Sequence, residues 1–308
     1  MDNKILDWLM QGDASIRFQT MRDILCLNPR EIKKEQARIA LEGWGARLLS
    51  LQNQGGGWGA GIYIHKWTST TYTMLLLRDL GLEPKHPQAV KGARLLLNEG
   101  FYKDGGINYF GSLDHSEVGV TGMILSILSH FQLEDERLHS IAQFLISQQL
   151  DYGGWFYLSP QGRTDVCFHT TICVLEGLRE YEKWEPQNPR VVSQSLAMGR
   201  EFLLKHELFK IEGTNMPVHP SFVKFAFPTR YRYDVMRALD HLQECRARKD
   251  PRMEDAISLL ISKRRKDGAW PLGPRWPGRT HFEMEEPGKP SRWNTLRALR
   301  ILKWWNNE

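Results

Sequence analysis

Apolar residues recur three and four positions apart in runs such as ARLLSLQNQ, ARLLLNEG and AQFLISQQ, which predicts amphipathic helices. Each run ends in a glycine-rich turn: GGGWG around Trp58, DGGIN around Ile107, YGGWF around Trp155 and DGAW at Trp270. The first three turns lie about 49 residues apart, and the wider gap before Trp270 leaves room for a degenerate copy, IEGTN at 211–215. After each turn comes a second, more uniformly apolar run. Six of these stack on one register: TMRDILCL (20–27), TMLLLRDL (73–80), TGMILSIL (121–128), TICVLEGL (171–178), VMRALDHL (235–242) and TLRALRIL (295–302). The first position is Thr in all but one, and the eighth is always Leu. Helices apolar on most sides belong inside a layer of amphipathic ones. Six such pairs predict closure into a ring rather than an open solenoid, the first helix completing its pair against the last.

The turns in LQNQGGGWG and ISQQLDYGGW resemble the QW repeats of squalene-hopene and oxidosqualene cyclases. The resemblance covers almost the whole chain and implies an all-α fold, the α6/α6 toroid of six helical hairpins shared by terpene cyclases and protein-prenyltransferase β subunits, with a central cavity. In those families the repeats brace outer helices and do no chemistry, so function has to be sought in the cavity. The resemblance also implies that the inner helices start at the cavity mouth, which directs attention to the residues just before the Thr column.

Three positions before that column stand Arg17, Arg232 and Arg292, from repeats one, five and six, which are neighbours only in a closed ring. Arg22, Arg237 and Arg297 lie about one turn deeper. Arginines beside helix N-termini suit a phosphate, diphosphate or carboxylate head group; equally, they suit pairing with Asp23, Asp234 and Asp240 as braces between helices. Trp67, Tyr72, Phe168, Tyr231, Tyr233 and Trp293, with His169 and Asn294, are candidate walls for an apolar chain or a carbocation, or simply core.

A class II cyclase of the family protonates an alkene with the acid of a DxDD motif. Neither DxDD nor the diphosphate-binding DDxxD is present, and the nearest positional candidates for the acid are Asp165 and Asp234. Prenyltransferases hold zinc through a DxC motif and a later His; Asp165, Cys167 and His169 reproduce that spelling, so zinc is the one cofactor the resemblance implies. Those enzymes also need an α subunit. His281 and Glu283, in the polar loop GRTHFEMEEPGKPSRWN before the last inner helix, are further acid/base candidates, as are His65, His115 and Glu117.

Composition narrows the field. With 41% hydrophobic and 25% charged residues the chain reads as a globular protein of one domain spanning 1–308, and no leader or spanning segment is legible, so a cytoplasmic location is expected. A net charge of +5, its only dense run being KRRK at 263–266, gives no expectation of nucleic-acid binding. Nothing in the sequence indicates membrane contact or reveals the oligomeric state. The expectation is an enzyme acting on an isoprenoid or other apolar substrate with an anionic head group; the alternatives are a non-catalytic binder of such a ligand and a metal-dependent enzyme built on rim histidines and acids.

Overall fold

In a computed structural model, which describes residues 3–158, 164–184 and 186–307, the chain is an α/α toroid. Six hairpins pair an outer with an inner helix: α1 (Asn3–Met10) with α2 (Ala14–Gln19, running on as a π-helical turn Thr20–Ile24), α4 (Gly43–Ser50) with α5 (Thr70–Leu80), α6 (Pro87–Gly100) with α7 (Val118–His130), α8 (Arg137–Ser147) with α9 (Phe168–Lys183), α10 (Pro189–Lys205) with α11 (Val235–Glu244), and α12 (Glu254–Ser262) with α13 (Arg292–Asn306). An additional helix, α3 (Pro29–Arg38), buries none of its residues. Two short antiparallel ribbons, β1 (Phe156–Leu158) with β2 (Thr164–Val166) and β3 (Trp270–Pro271) with β4 (Pro290–Ser291), decorate the turns. The first pair is completed by α1, not by the last helix.

The ring closes where α13 packs on α2, with Lys303 Nζ donating to the Ile24 carbonyl at 2.9 Å and Arg300 Nη1 to Gln19 Oε1 at 3.1 Å. On the other side Gln19 Nε2 donates to the Asp79 carbonyl of α5 at 2.8 Å. No helix among the described residues is long and apolar enough to cross a membrane.

The repeated turn works as a clamp. Trp58, Trp155 and Trp270 are wholly buried, and each indole N–H donates to the carbonyl ten residues earlier, at the end of the outer helix: Leu48, Leu145 and Leu260, at 2.6–2.7 Å. Their backbone N–H groups donate to the hydroxyls of Thr70, Thr171 and Thr295 in the first turn of the inner helix, at 2.9–3.0 Å. One residue thereby satisfies an orphan carbonyl of one helix and braces the start of the next. Ile107 keeps the second contact, to Thr121 at 3.0 Å. Gln52 and Gln149 tie each turn to the following outer helix through the carbonyls of Gln88 and Ser195. Two registers differ from the sequence expectation. In the second repeat the clamping threonine is Thr70, three residues before Thr73. In the fifth, IEGTN forms a plain hairpin between Ile211 and Met216, and the Tyr233 hydroxyl, donating to the Leu208 carbonyl, secures the outer segment.

Backbone contact between α7 and α9 shapes the ring most. Every residue of α7 from Val118 to Ser129 is buried. A Cβ on Gly177 would stand 2.4 Å from the Gly122 carbonyl oxygen, and one on Gly122 2.8 Å from the Cys173 carbonyl, so only glycine allows this approach.

The ring's axis is not an open channel. Toward the C-terminal ends of the inner helices it is crossed by ion pairs: Glu176 receives Arg237 at 2.7 Å and Arg78 at 3.1 Å, and Asp240 receives Arg297 at 3.1 Å together with Arg300. Burial opposes ionisation of both carboxyls, yet the flanking guanidiniums hold each below the usual carboxylate range. A cavity of about 200 Å³ remains among them. At the opposite end Trp67 packs edge-on against Tyr72 and stacks on Tyr231.

Candidate functional site

Open space at the mouth lies to one side, where the starts of α7 and α9 face residues 63–66, 110–113 and Tyr231 around a pocket of about 490 Å³. Its size falls in the range of small-molecule sites, and its walls are mainly apolar, with Tyr63, Phe110, Leu113, Val120, Met123 and Tyr231 prominent. Four groups in it carry chemistry: Glu117, His169, Cys173 and Lys66.

Glu117 is the N-cap of α7, and its carboxyl accepts the N–H groups of Gly119 and Val120. A polar cap at the head of an otherwise apolar helix is what the free N–H groups there require. Burial raises the pKa of this carboxyl above the ordinary glutamate value, outweighing the two N–H bonds and His115, which act in the other direction.

His169 occupies the first turn of α9. Its Nδ1 accepts the Tyr233 backbone N–H at 2.7 Å, so a neutral ring must carry its proton on Nε2. Burial, reinforced by Arg232 and Arg237, lowers its pKa to about 4, which keeps the ring neutral near pH 7. Cys173 is a thiol rather than a thiolate: burial pushes it up to about 12, and its Sγ faces the Tyr231 carbonyl at 3.5 Å. Lys66 lies over the Tyr231 ring, 5.1 Å from its centre. Tyr63 and Tyr72 share a hydroxyl hydrogen bond of 2.8 Å, and burial drives both phenols up.

Of the residues singled out from the sequence, Glu117, His169, Cys167 and Tyr231 line this pocket. Trp67, His281 and Glu283 line a smaller one, of about 80 Å³, between the 226–230 and 274–285 segments. There His281 Nε2 meets the Thr73 hydroxyl at 2.9 Å, and Glu283 pairs with Arg275 at 3.0 Å. Tyr72 backs onto the first pocket through Tyr63.

The others serve the scaffold. Asp234, 2% exposed, caps α11 by accepting the Arg237 N–H at 2.8 Å and lines neither mouth pocket, and burial raises its pKa. Phe168 packs on Phe202, Phe222 and Tyr233, and the Tyr233 ring is wholly buried. Trp293 stacks on Phe227, and Asn294 donates to the carbonyls of Phe225 and Pro271.

The basic sector drawn from Arg17, Arg232 and Arg292 is not assembled. Arg17 is taken by Glu35 at 2.6 Å and by Glu42, Arg292 by the Trp8 carbonyl at 2.9 Å, and Arg232 lies over the Trp276 ring at 4.2 Å. These partners come from α3, from α1 and from loops between the helices. The deeper set does converge on the axial cavity, and Arg297 braces helices through Asp240 as expected; Arg237 uses Glu176 instead of Asp234, and Arg22 pairs with Asp23 on its own turn, where Arg300 of α13 is the partner that reaches across.

The expected zinc set lies partly outside the described residues. The side chain of Asp165 lies outside the described residues, His169 has one nitrogen engaged, and no three His, Cys, Asp or Glu side chains gather as ligands among the described residues.

Sequence reasoning placed Glu117 only among several acid/base candidates, and missed Tyr63, Phe110 and Met123. The available signal was position: a lone acid heading the most apolar helix of the chain.

No family model matches the sequence, and no curated protein matches it. Among solved structures the chain is similar to a polysaccharide lyase, at 11% identity over 99% of this chain and 96% of the other, with a TM-score of 0.53. It is also similar to the unsaturated glucuronyl hydrolase of Bacillus sp. GL1 (13% identity; 94% and 84% covered; TM-score 0.49) and to a type II terpene cyclase from Scytonema (15%; 95% and 87%; 0.45). Identities this low speak for the fold alone.

Proposed function

We propose that the protein is an acid–base enzyme that acts on a small, largely apolar molecule of the isoprenoid kind in the α7–α9 pocket, with Glu117 as the proton donor. The observation that carries this reading is a carboxyl group whose burial favours its protonated form, set in apolar walls beside a neutral imidazole N–H.

In the reaction the Glu117 O–H bond breaks as a C–H bond forms on an alkene carbon, leaving a carboxylate and a carbocation. The rings of Tyr63, Phe110 and Tyr231 offer their negative faces to that cation, and the N–H groups of Gly119 and Val120 hold the new carboxylate. Loss of a proton from a neighbouring carbon then re-forms a double bond, and the proton returns to Glu117. His169, donating from Nε2, orients a polar substituent, and Lys66 at the rim takes an anionic head group. Saccharide chemistry, which the names of two similar structures print, is less well served by mainly apolar walls.

Incubation with squalene, farnesyl diphosphate and geranylgeranyl diphosphate, followed by extraction and mass spectrometry, tests this. A product isomeric with its substrate is the expected result. Ligand that co-purifies unchanged would instead identify a binding protein, and recovery of every compound unbound and unchanged would remove the isoprenoid reading.

A further inference from the structure

The opposite face of the ring carries a second, differently charged concavity. Where α2, α11 and α13 end, an open groove of about 990 Å³ is lined by the cations Arg22, Arg246, Arg248, Lys249, Arg300 and Lys303, against one carboxylate among the described residues, Asp23. That carboxylate is already held by Arg22 at 2.5 Å and by Arg300 at 3.2 Å. Lys303 is also employed, donating to the Ile24 carbonyl at the end of the π-helical turn, where a cation offsets the helix dipole.

Arg246, Arg248 and Lys249 differ. They follow the end of α11, are exposed, and have no salt-bridge partner among the described residues, so their charge is surplus to the scaffold. Arg22 and Arg300 line both this groove and the axial cavity and stand between the two. Inside, Arg297 lines the cavity with Nη1 buried and without a hydrogen-bond partner. An unpaired buried donor of this kind is costly and gains from an acceptor oxygen.

We propose that this groove binds a small soluble molecule carrying two or more phosphate groups, one seated among Arg246, Arg248 and Lys249 and another directed inward past Arg22 toward Arg297. Point cations spaced along an open groove suit an extended polyphosphate, and guanidiniums can grip its oxygens pairwise. The site is separate from the pocket between α7 and α9 and does not depend on the activity proposed for it.

Titration calorimetry with tripolyphosphate, at an ionic strength held constant with sodium chloride, tests the proposal. Saturable binding of one equivalent is expected, weakening as salt is raised. The double variant Arg246→Glu/Arg248→Glu should weaken it by about tenfold or more, and Arg297→Met should weaken it with the outer cations intact. Both Arg246 and Arg248 are exposed and unpaired, so an unchanged melting temperature is expected for the double variant and confirms that it is folded. Non-saturable heats, or equal affinity in the double variant, would overturn the proposal. So would tighter binding to phosphatidylglycerol vesicles or to single-stranded RNA than to tripolyphosphate, since the occupant would then be a membrane or a nucleic acid.

Discussion

Glu117→Gln is expected to reduce turnover of an accepted substrate by about 10²- to 10⁴-fold, the usual contribution of a positioned general acid, while the fold persists. Gln has nearly the same shape and keeps one carbonyl oxygen to accept an N–H from Gly119 or Val120, so the cap on α7 survives in part. What it lacks is the transferable proton. A change in KM with kcat preserved would place Glu117 in binding rather than in proton transfer.

Stability should move in a defined direction with pH. Because the folded protein holds the Glu117 proton more tightly than the unfolded chain, the stabilisation it contributes is complete below the unfolded pKa, about 4.3, and fades as pH rises through the folded value. Wild type should therefore lose stability relative to the Gln variant across that window and run parallel to it above. Melting curves of the two proteins from pH 4 to pH 8 measure this.

The largest loss of stability is expected from Asp240→Asn. Asp240 is buried in α11, where it receives Arg297 and Arg300 from α13 across the ring. Removing its charge leaves Arg297 without any carboxylate, and Arg300 dependent on Asp23, Gln19 and Glu244. Stripping one partner from a buried pair typically costs about 3–5 kcal/mol, because the remaining charge stays desolvated. Urea denaturation should show a shift of that order. The wild-type contribution is present above the unfolded carboxyl pKa and is lost as pH falls through the depressed folded value, so the two proteins should converge in acid.

The ring itself was legible because its clamps are local. Trp155 and Thr171 lie 16 residues apart and meet in a hydrogen bond, so their spacing recurs as a visible pattern. The same logic misassigned the second repeat: Thr70, Thr71 and Thr73 all head an apolar run, and only the contact to Trp58 selects Thr70. Arg17, Arg232 and Arg292 stand in one column of the repeat, but their partners Glu35, Glu42, the Trp8 carbonyl and the Trp276 ring belong to α3, α1 and the long loops, to which the repeat gives no guide. The pocket's place was hidden for a related reason. The helices that flank it meet backbone to backbone through Gly122 and Gly177, a contact between distant residues with no periodic signature.

The account rests on Glu117 holding its proton more tightly than an ordinary glutamate in the pocket between α7 and α9. A ¹³C-detected titration of the glutamate side-chain carboxyls, with Glu117 assigned by its absence in the Gln variant, measures this directly. A midpoint above the ordinary glutamate value of about 4.3, moving further when an apolar ligand fills the pocket, is the result expected; a midpoint at or below that value, indifferent to ligand, would contradict it.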